Sequence, residues 1–222
     1  MTVADALEAR ATEIVERSFK VMYSDPFWRA RFGERGEKYT REDHVHHVCY
    51  LLEAIRSGDS AVLASYAKWL QPVLTSRGMC TKHIDDSLLS VRAAIAAEGI
   101  DANAVDVHIE AARTALRYTD LAARAVEDAA PRLAEVAHRT IAPGRARDVF
   151  YLLSFMGDAI ALDNDDVFVA HARWLARCIP PGIDVGMLDA LAAGSMELAA
   201  ETATRYRRIL AKARSAVSGA SL

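Results

Sequence analysis

The sequence predicts an all-α protein, and two observations support this fold class. Apolar residues recur with the helical period along the chain, and no stretch alternates long enough for a half-buried strand. Alanine-rich segments such as 7–11 and 121–125 add high helix propensity. The chain has 222 residues, 52% of them hydrophobic, which is enough for one large domain or two small ones with a substantial core.

Capping and helix-breaking residues set the predicted helix limits. Asp25 precedes a proline, and a residue in that position resists the helical conformation, so the first helix ends there. Thr40 followed by Asp43 resembles a capping box and starts the next helix, which closes near Gly58. The Pro-Pro-Gly stretch at 180–182 is the clearest loop. The predicted helices are 4–23, 40–58, 59–77, 81–99, 103–127, 131–142, 146–162, 164–177 and 184–213.

The second half of the chain aligns with the first at a constant offset of 105 residues. The segments 50–70 and 155–175 share six identical positions in this alignment. The identical pairs are Ala54/Ala159, Ile55/Ile160, Val62/Val167, Ala67/Ala172, Trp69/Trp174 and Leu70/Leu175. The match predicts two tandem four-helix repeats, 1–100 and 101–222, packed about a pseudo-twofold axis. Shared helical composition is the alternative explanation of the match.

The stretch TREDHVHHVCYLLEAI carries three histidines, His44, His46 and His47. The aligned residues of the second copy are Val149, Tyr151 and Leu152. Copy one is therefore predicted to be the specialised, ligand-binding half, and copy two a degenerate one. His44 and His47 are three residues apart and share a helix face. Asp43 and His47 are four apart, a spacing that permits a hydrogen bond, whereas His46 points away beside Tyr50.

The histidines alone do not define a metal site. Helical neighbours of this kind can hold a metal or orient an imidazole, but three or four ligands must converge, and the sequence has no ExxH pair or HExxH string to supply the others. Polar helix residues at a surface or an interface are the simpler interpretation, and no metal site is predicted.

The stretch SYAKWLQPVLTSRG places Pro72 inside an otherwise strong helix, where it removes a backbone hydrogen bond and is expected to bend the helix. Tyr66 and Trp69 lie three residues apart near this bend, and Arg77 follows two turns further on. An aromatic wall with an arginine suits a flat apolar ligand that bears carboxylates. The alternative to a ligand-binding role is that Trp69 and Trp174 are matching core residues of the two copies.

Charge and composition exclude several classes of protein. The chain has 27 basic and 30 acidic residues, a net charge of −3, and no basic block of the kind that nucleic-acid binders carry. No apolar run is long enough to cross a bilayer, and the N-terminus lacks the pattern of a signal peptide, so we expect a cytoplasmic protein. The three cysteines are scattered and are expected to be reduced thiols.

Several of these stretches together resemble a known family. The first stretch is RFGERG, the second comprises Glu42, Asp43, His47, Tyr50, Leu51, Glu53 and Ala54, and the third is YAKWLQPVLTSRG with Cys80 to His83. Together they resemble the N-terminal helical domain of photocobilins, which are cobalamin-dependent bacterial photoreceptors. The likeness covers about residues 5 to 95 and implies a globin-like module that binds biliverdin and senses light. The positions that match are Asp43, His47, Tyr66, Trp69 and Arg77. The Asp-x-His-x-x-Gly loop of a cobalamin domain is absent, so cobalamin chemistry is not expected.

Three hypotheses of different classes follow. The first is a sensor-type protein that binds a tetrapyrrole, biliverdin or haem, on the face of His44, His47, Asp43, Tyr50, Tyr66 and Trp69, with the ligand's carboxylates paired to Arg31, Arg35 or Arg77. The second is a helical interaction or regulatory module without a ligand. The third is an enzyme with the Asp43–His47 pair as general base. The first is preferred, and a signalling partner and a homodimer are left open.

Overall fold

A computed structural model describes residues 2–138, 146–178 and 185–218 and confirms the all-α class. Within these ranges there are α-helices, one short 3-10 helix (Ser195–Glu197) and no strand. The helices are α1 (Val3–Ala9), α2 (Ala11–Tyr23), α3 (Pro26–Ser57), α4 (Ala61–Thr75), α5 (Thr81–Ala97), α6 (Asn103–Leu116), α7 (Leu121–His138), α8 (Ala146–Ala161), α9 (Asp165–Cys178), α10 (Val185–Gly194) and α11 (Ala200–Ser218). The predicted loop at 180–182 lies outside the described residues.

Helix α3 begins earlier than the sequence suggested. Asp25 caps it by accepting a hydrogen bond from the backbone N–H of Phe27 at 2.9 Å, and Pro26 occupies its first turn, where a proline loses no hydrogen bond. Thr40 is consequently internal, and the prediction of a helix start there was wrong. The only non-helical residue within α3 is Gly33, with φ 60° and ψ −162°, a conformation that glycine adopts at little cost.

Four other predicted limits were also wrong. The predicted first helix is divided at Arg10 into α1 and α2. The predicted helix 103–127 ends at Leu116, because a new helix starts where the Asp120 carboxylate accepts from the backbone N–H of Ala123 at 2.8 Å. Helix α7 then continues through Pro131, and the predicted helix 184–213 is divided into α10, the 3-10 helix and α11.

The chain forms two compact units. Unit 1 comprises residues 1–72 and 83–116, and unit 2 comprises 73–82 and 117–222. The predicted division into repeat copies 1–100 and 101–222 is a different division of the chain, and it stays a prediction. The core of unit 1 includes Leu7, Ile14, Val48, Leu51, Leu63, Ile84, Leu88, Ile95 and Ile109, and that of unit 2 includes Leu133, Phe155, Phe168, Leu188, Tyr206 and Ile209. None of the described helices is long and apolar enough to cross a membrane.

Two turns that are 105 residues apart have the same local structure. Gly58 ends α3 with φ 66°, and Asp163 follows α8 with φ 48°. The next backbone N–H bonds back to the carbonyl oxygen of Ala54 at 3.1 Å in the first turn and of Ala159 at 2.9 Å in the second. In both turns a side-chain oxygen then caps the following helix. Each turn therefore ends one helix and starts another through the same set of bonds.

Unit 2 contains a buried carboxyl group, Asp158, that holds the start of α5. It accepts hydrogen bonds from the backbone N–H and the hydroxyl of Thr81 at 2.9 and 2.7 Å, and from the hydroxyl of Tyr118 at 3.0 Å. Burial raises the pKa of Asp158 to about 6 in spite of these donors. The Tyr118 ring packs against Gly157, since a Cβ on that glycine would lie 2.6 Å from a ring carbon.

We therefore expect Gly157→Ala to destabilise the protein, although alanine is the better helix former. The added methyl group meets an aromatic ring held by hydrogen bonds, and overpacking of this kind costs about 1 to 3 kcal/mol. Gly194→Ala is the matched control, because its methyl group meets the mobile end of the Leu133 side chain, 2.9 Å away. Urea denaturation of both variants measures the difference, and equal stabilities would contradict the close packing of Tyr118.

Candidate functional site

Three aromatic rings of unit 1 form a cluster that is partly open to solvent. The rings of Tyr50 on α3 and Tyr66 on α4 are stacked, with centroids 4.1 Å apart and planes inclined by 15°. Trp69 lies one turn beyond Tyr66, with its centroid 6.3 Å from the Tyr66 ring. Trp69 is 62% exposed and Tyr50 42% exposed, whereas Tyr66 is buried. This ring cluster therefore connects an exposed aromatic face to the interior.

Behind the ring cluster lies a buried polar network formed by Ser18, His44, Ser87, His47 and Tyr66. His44 and His47 are almost completely buried, and both nitrogens of each ring have partners. His44 lies 2.9 Å from Ser18 through Nδ1 and 2.9 Å from Ser87 through Nε2. His47 lies 3.0 Å from Ser87 through Nε2 and 2.9 Å from the Tyr66 hydroxyl through Nδ1. The network joins α2, α3, α4 and α5.

The hydrogen bonds assign a proton position to each half of the network. Ser18 donates its hydroxyl proton to the backbone carbonyl oxygen of Val15 at 2.9 Å, so it accepts from Nδ1–H of His44. The Nε2 atom of His44 is then an acceptor, and the Ser87 hydroxyl donates to it. Because Ser87 has a single proton, its oxygen accepts from Nε2–H of His47.

The remaining link follows from the last assignment. With its proton on Nε2, His47 has an acceptor at Nδ1, and the Tyr66 hydroxyl donates to it at 2.9 Å. Every hydrogen bond in the buried polar network then has the same direction, from Tyr66 to Ser18. The arrangement uses neutral imidazoles and leaves no ring nitrogen without a partner.

Burial keeps both imidazoles neutral. It lowers the pKa of His44 to about 4, and it lowers that of His47 well below the usual value, with smaller contributions from repulsion by His44 and His46. Burial also raises the pKa of the Tyr66 phenol, and the Asp43 carboxylate adds to this rise. A neutral phenol therefore faces a neutral imidazole that is available as a base.

The structure brings together only part of the predicted site. His44, His47, Tyr50, Tyr66 and Trp69 are joined by the contacts described above. Asp43 acts on Tyr66 electrostatically, but the predicted Asp43–His47 hydrogen bond is not formed, since Tyr66 and Ser87 bind the two nitrogens of His47. The general-base hypothesis thereby loses its orienting carboxylate.

Arg35 lies on the same helix as Tyr50 but well before it in the chain. Arg35 packs over the Tyr39 ring, 5.4 Å from its centroid, and lies about 22 Å before Tyr50 along α3 at 1.5 Å per residue. Arg77 belongs to unit 2. These two residues therefore do not identify where the carboxylates of a ligand would be paired in unit 1.

Sequence reasoning missed the serines of the buried polar network. Ser18 lies on the buried face of α2, four residues after Ile14, and Ser87 and Ser90 lie on the buried face of α5. Small polar residues at apolar positions of a helix were the available signal. Their significance depends on His44 and His47, which are distant in sequence, so spacing within one helix does not reveal it.

A second ring cluster occurs in unit 2 at the positions 105 residues later. Phe155 and His171 are stacked with centroids 3.9 Å apart and planes inclined by 22°, and Trp174 lies 5.7 Å from His171. Phe155 is buried, unlike Tyr50. The two units thus share the ring geometry, but only unit 1 exposes the first and third rings as an open face.

Neither a metal centre nor a relative identifies the site. Within the described ranges no group of three or more His, Cys, Asp or Glu residues is placed to hold a metal ion. No protein-family model matches the chain, and no curated protein and no solved structure matches it. The geometry of unit 1 therefore carries the functional argument.

Ser87→Ala should lower the free energy of unfolding by about 2 to 4 kcal/mol, because it removes one partner from each of two buried imidazoles. The matched control is Ser90→Ala, one turn along the same helix. Ser90 is equally buried, but its hydroxyl donates to the Ser87 carbonyl at 2.7 Å and lies 3.5 Å from His44. Its loss should cost less than about 1 kcal/mol. Equal costs in chemical denaturation would contradict the assigned role of Ser87.

Acidification should destabilise the protein below about pH 6.5. The unfolded state then binds protons that folded His44 and His47 exclude, so each histidine lowers the free energy of unfolding by about 1.4 kcal/mol per pH unit. For His44 this loss continues down to its folded pKa of about 4. Urea denaturation at several pH values measures the slope. The double variant His44→Val with His47→Leu has the residue types found at the aligned positions Val149 and Leu152. Its free energy of unfolding should fall less steeply with decreasing pH.

Asp158 changes the pH dependence of stability in the opposite direction. Its folded pKa of about 6 lies above the usual 3.8, so the stability that it contributes is present below about pH 4 and lost as the pH rises through 6. It therefore opposes the histidines, and Asp158→Asn should make the acid-induced loss steeper. A double histidine variant with the slope of the unmodified protein would refute the neutral assignment of His44 and His47.

Proposed function

We propose that unit 1 is a sensor-type module that binds a planar tetrapyrrole, with biliverdin preferred to haem. The observation that carries this proposal is the exposed face of the ring cluster, where Trp69 and Tyr50 flank the buried Tyr66. Large aromatic surfaces of this kind favour stacking with a flat conjugated ligand. The resemblance of residues 5 to 95 to the photocobilin helical domain agrees with this class of ligand.

The buried polar network favours the open-chain ligand. Haem needs an imidazole nitrogen for its iron, but each nitrogen of His44 and His47 already has a partner in the interior. Haem ligation would break one of these bonds and leave a buried group without its partner. Biliverdin has no iron, and it can stack on Trp69 and Tyr50 while the network stays intact.

We also propose that the two copies, 1–100 and 101–222, descend from one globin-like helical repeat and are related by a pseudo-twofold axis. Three observations support this duplication: the sequence match at offset 105, the same turn hydrogen bonds after α3 and α8, and the same ring clusters in both units. The histidines then distinguish a ligand-binding copy from a degenerate one, because Val149 and Leu152 occupy their positions in the second copy.

The second candidate is a cytoplasmic interaction module that binds a protein partner through the same face. The observation that favours it is an exposed stripe on α3 that includes Tyr50 of the ring cluster and is formed by Val45, His46, Cys49 and Tyr50. The stripe combines an aliphatic and an aromatic side chain with an imidazole and a thiol, and faces of this composition also occur at protein interfaces.

The test is to incubate the purified protein separately with biliverdin and hemin, remove free ligand by desalting, and record absorption spectra. We expect a retained red-absorbing band with biliverdin and no retained haem band. Trp69→Ala should weaken biliverdin binding about tenfold, the cost of one lost aromatic contact. Trp69 is largely exposed, so the fold should tolerate this change.

Trp174→Ala is the matched control, because Trp174 is the corresponding residue of the second ring cluster and should leave biliverdin binding unchanged. Equal losses in both variants would place the ligand elsewhere. A colourless protein after both incubations would refute the tetrapyrrole proposal and favour the interaction module.

A further inference from the structure

Tyr66 combines three features that no single structural role requires. Its phenol donates to the neutral acceptor Nδ1 of His47 at 2.9 Å. Its ring is buried and excluded from water. The same ring contacts Tyr50 and Trp69, which are open to solvent. A buried phenol with a base on one side and an exposed aromatic path on the other has the parts needed to lose an electron and a proton together.

We propose that Tyr66 is a redox-active tyrosine, which loses one electron through the ring cluster to an outer-sphere oxidant at Trp69 while its phenolic proton passes to His47. The class of oxidant is a one-electron acceptor, such as a photoexcited planar dye, that contacts the exposed indole. The proposal goes beyond ligand binding and does not depend on a tetrapyrrole being that dye.

The electron and the proton are both accounted for. The oxidant gains one electron, and Tyr66 becomes a neutral phenoxyl radical as its O–H bond breaks and an N–H bond forms at Nδ1 of His47. His47 then releases its Nε2 proton to Ser87, and Ser87 passes its own hydroxyl proton to Nε2 of His44. The products are a tyrosyl radical, a neutral His47 with its proton moved to Nδ1, and a protonated His44. Reduction of the radical reverses each step.

The buried polar network determines where the positive charge ends. Because every bond in it has the same direction, the proton shift moves the charge from Tyr66, the site of oxidation, to His44, which is three hydrogen-bonded links away. When the radical is reduced, the proton returns over the same three links. Without His47, the buried phenol has no base at this position, and loss of the electron alone would leave a cationic phenol in an apolar interior.

The ring cluster supplies the electron path. The Tyr66 ring lies 4.1 Å from that of Tyr50 and 6.3 Å from that of Trp69, centroid to centroid. Both partners reach the surface, so an oxidant too large to enter the core still contacts the path. Unit 2 lacks the corresponding phenol, because His171 occupies the position of Tyr66.

The experiment oxidises the 222-residue protein, without added tetrapyrrole, by flash-generated tris(bipyridine)ruthenium(III) and follows the tyrosyl radical by electron paramagnetic resonance. We expect a radical component whose lifetime does not depend on protein concentration, since a buried radical does not dimerise. Tyr66→Phe should abolish this component, and Ser87→Ala should shorten its lifetime at least about tenfold, because it removes both hydrogen bonds that link His47 to His44. In deuterium oxide its formation should be slower.

Tyr118→Phe is the control, because Tyr118 is a second buried phenol and donates to the Asp158 carboxyl at 3.0 Å. It should keep the long-lived component. The absence of that component in the unmodified protein, or its survival in Tyr66→Phe, would overturn the proposal. His47→Leu should also remove it, and a circular dichroism melt of each variant confirms that the fold is retained. Because the oxidant is ruthenium, failure here leaves the biliverdin test unaffected.

Discussion

The structure of unit 1 depends on the need to satisfy two neutral imidazoles in a dry interior. An unpaired buried nitrogen costs as much as several good packing contacts contribute. His44 and His47 therefore require partners from other helices, and Ser18, Ser87 and Tyr66 supply them. This requirement fixes α2, α4 and α5 around α3 more specifically than apolar packing does, because a hydrogen bond tolerates little displacement.

The same requirement couples the interior to the surface. Tyr66 belongs both to the buried polar network, through its hydroxyl, and to the ring cluster, through its ring. A ligand or partner that displaces Tyr50 or Trp69 therefore acts on the position of the Tyr66 hydroxyl. A change there alters the acceptor side of His47 and, through Ser87, the hydrogen bonds of His44. The exposed aromatic face and the four helices of the buried polar network are thus joined at a single phenol.

The sequence was sufficient for what depends on local chemistry. Helical periodicity predicted the all-α class, and glycine and capping residues predicted the ends of α3 and α5 closely. Helix limits were missed where one residue pair can either end or start a helix. Asp25 with Pro26 was predicted only to end a helix, but it also starts α3. The shared face of His44 and His47 was predictable from their spacing. Their partners were not, because Ser18 and Ser87 approach them only through tertiary packing.

The proposed duplication makes an energetic comparison within one chain possible. At the positions of His44 and His47, unit 2 has Val149 and Leu152, both fully buried. Apolar residues are therefore compatible with a helix in the same local setting, and a buried polar network is seldom more stable than an apolar core of similar volume. Packing alone does not account for the histidines of unit 1. They lie beside a ring cluster that exposes Tyr50 and Trp69 to solvent, where the proposed function would place them.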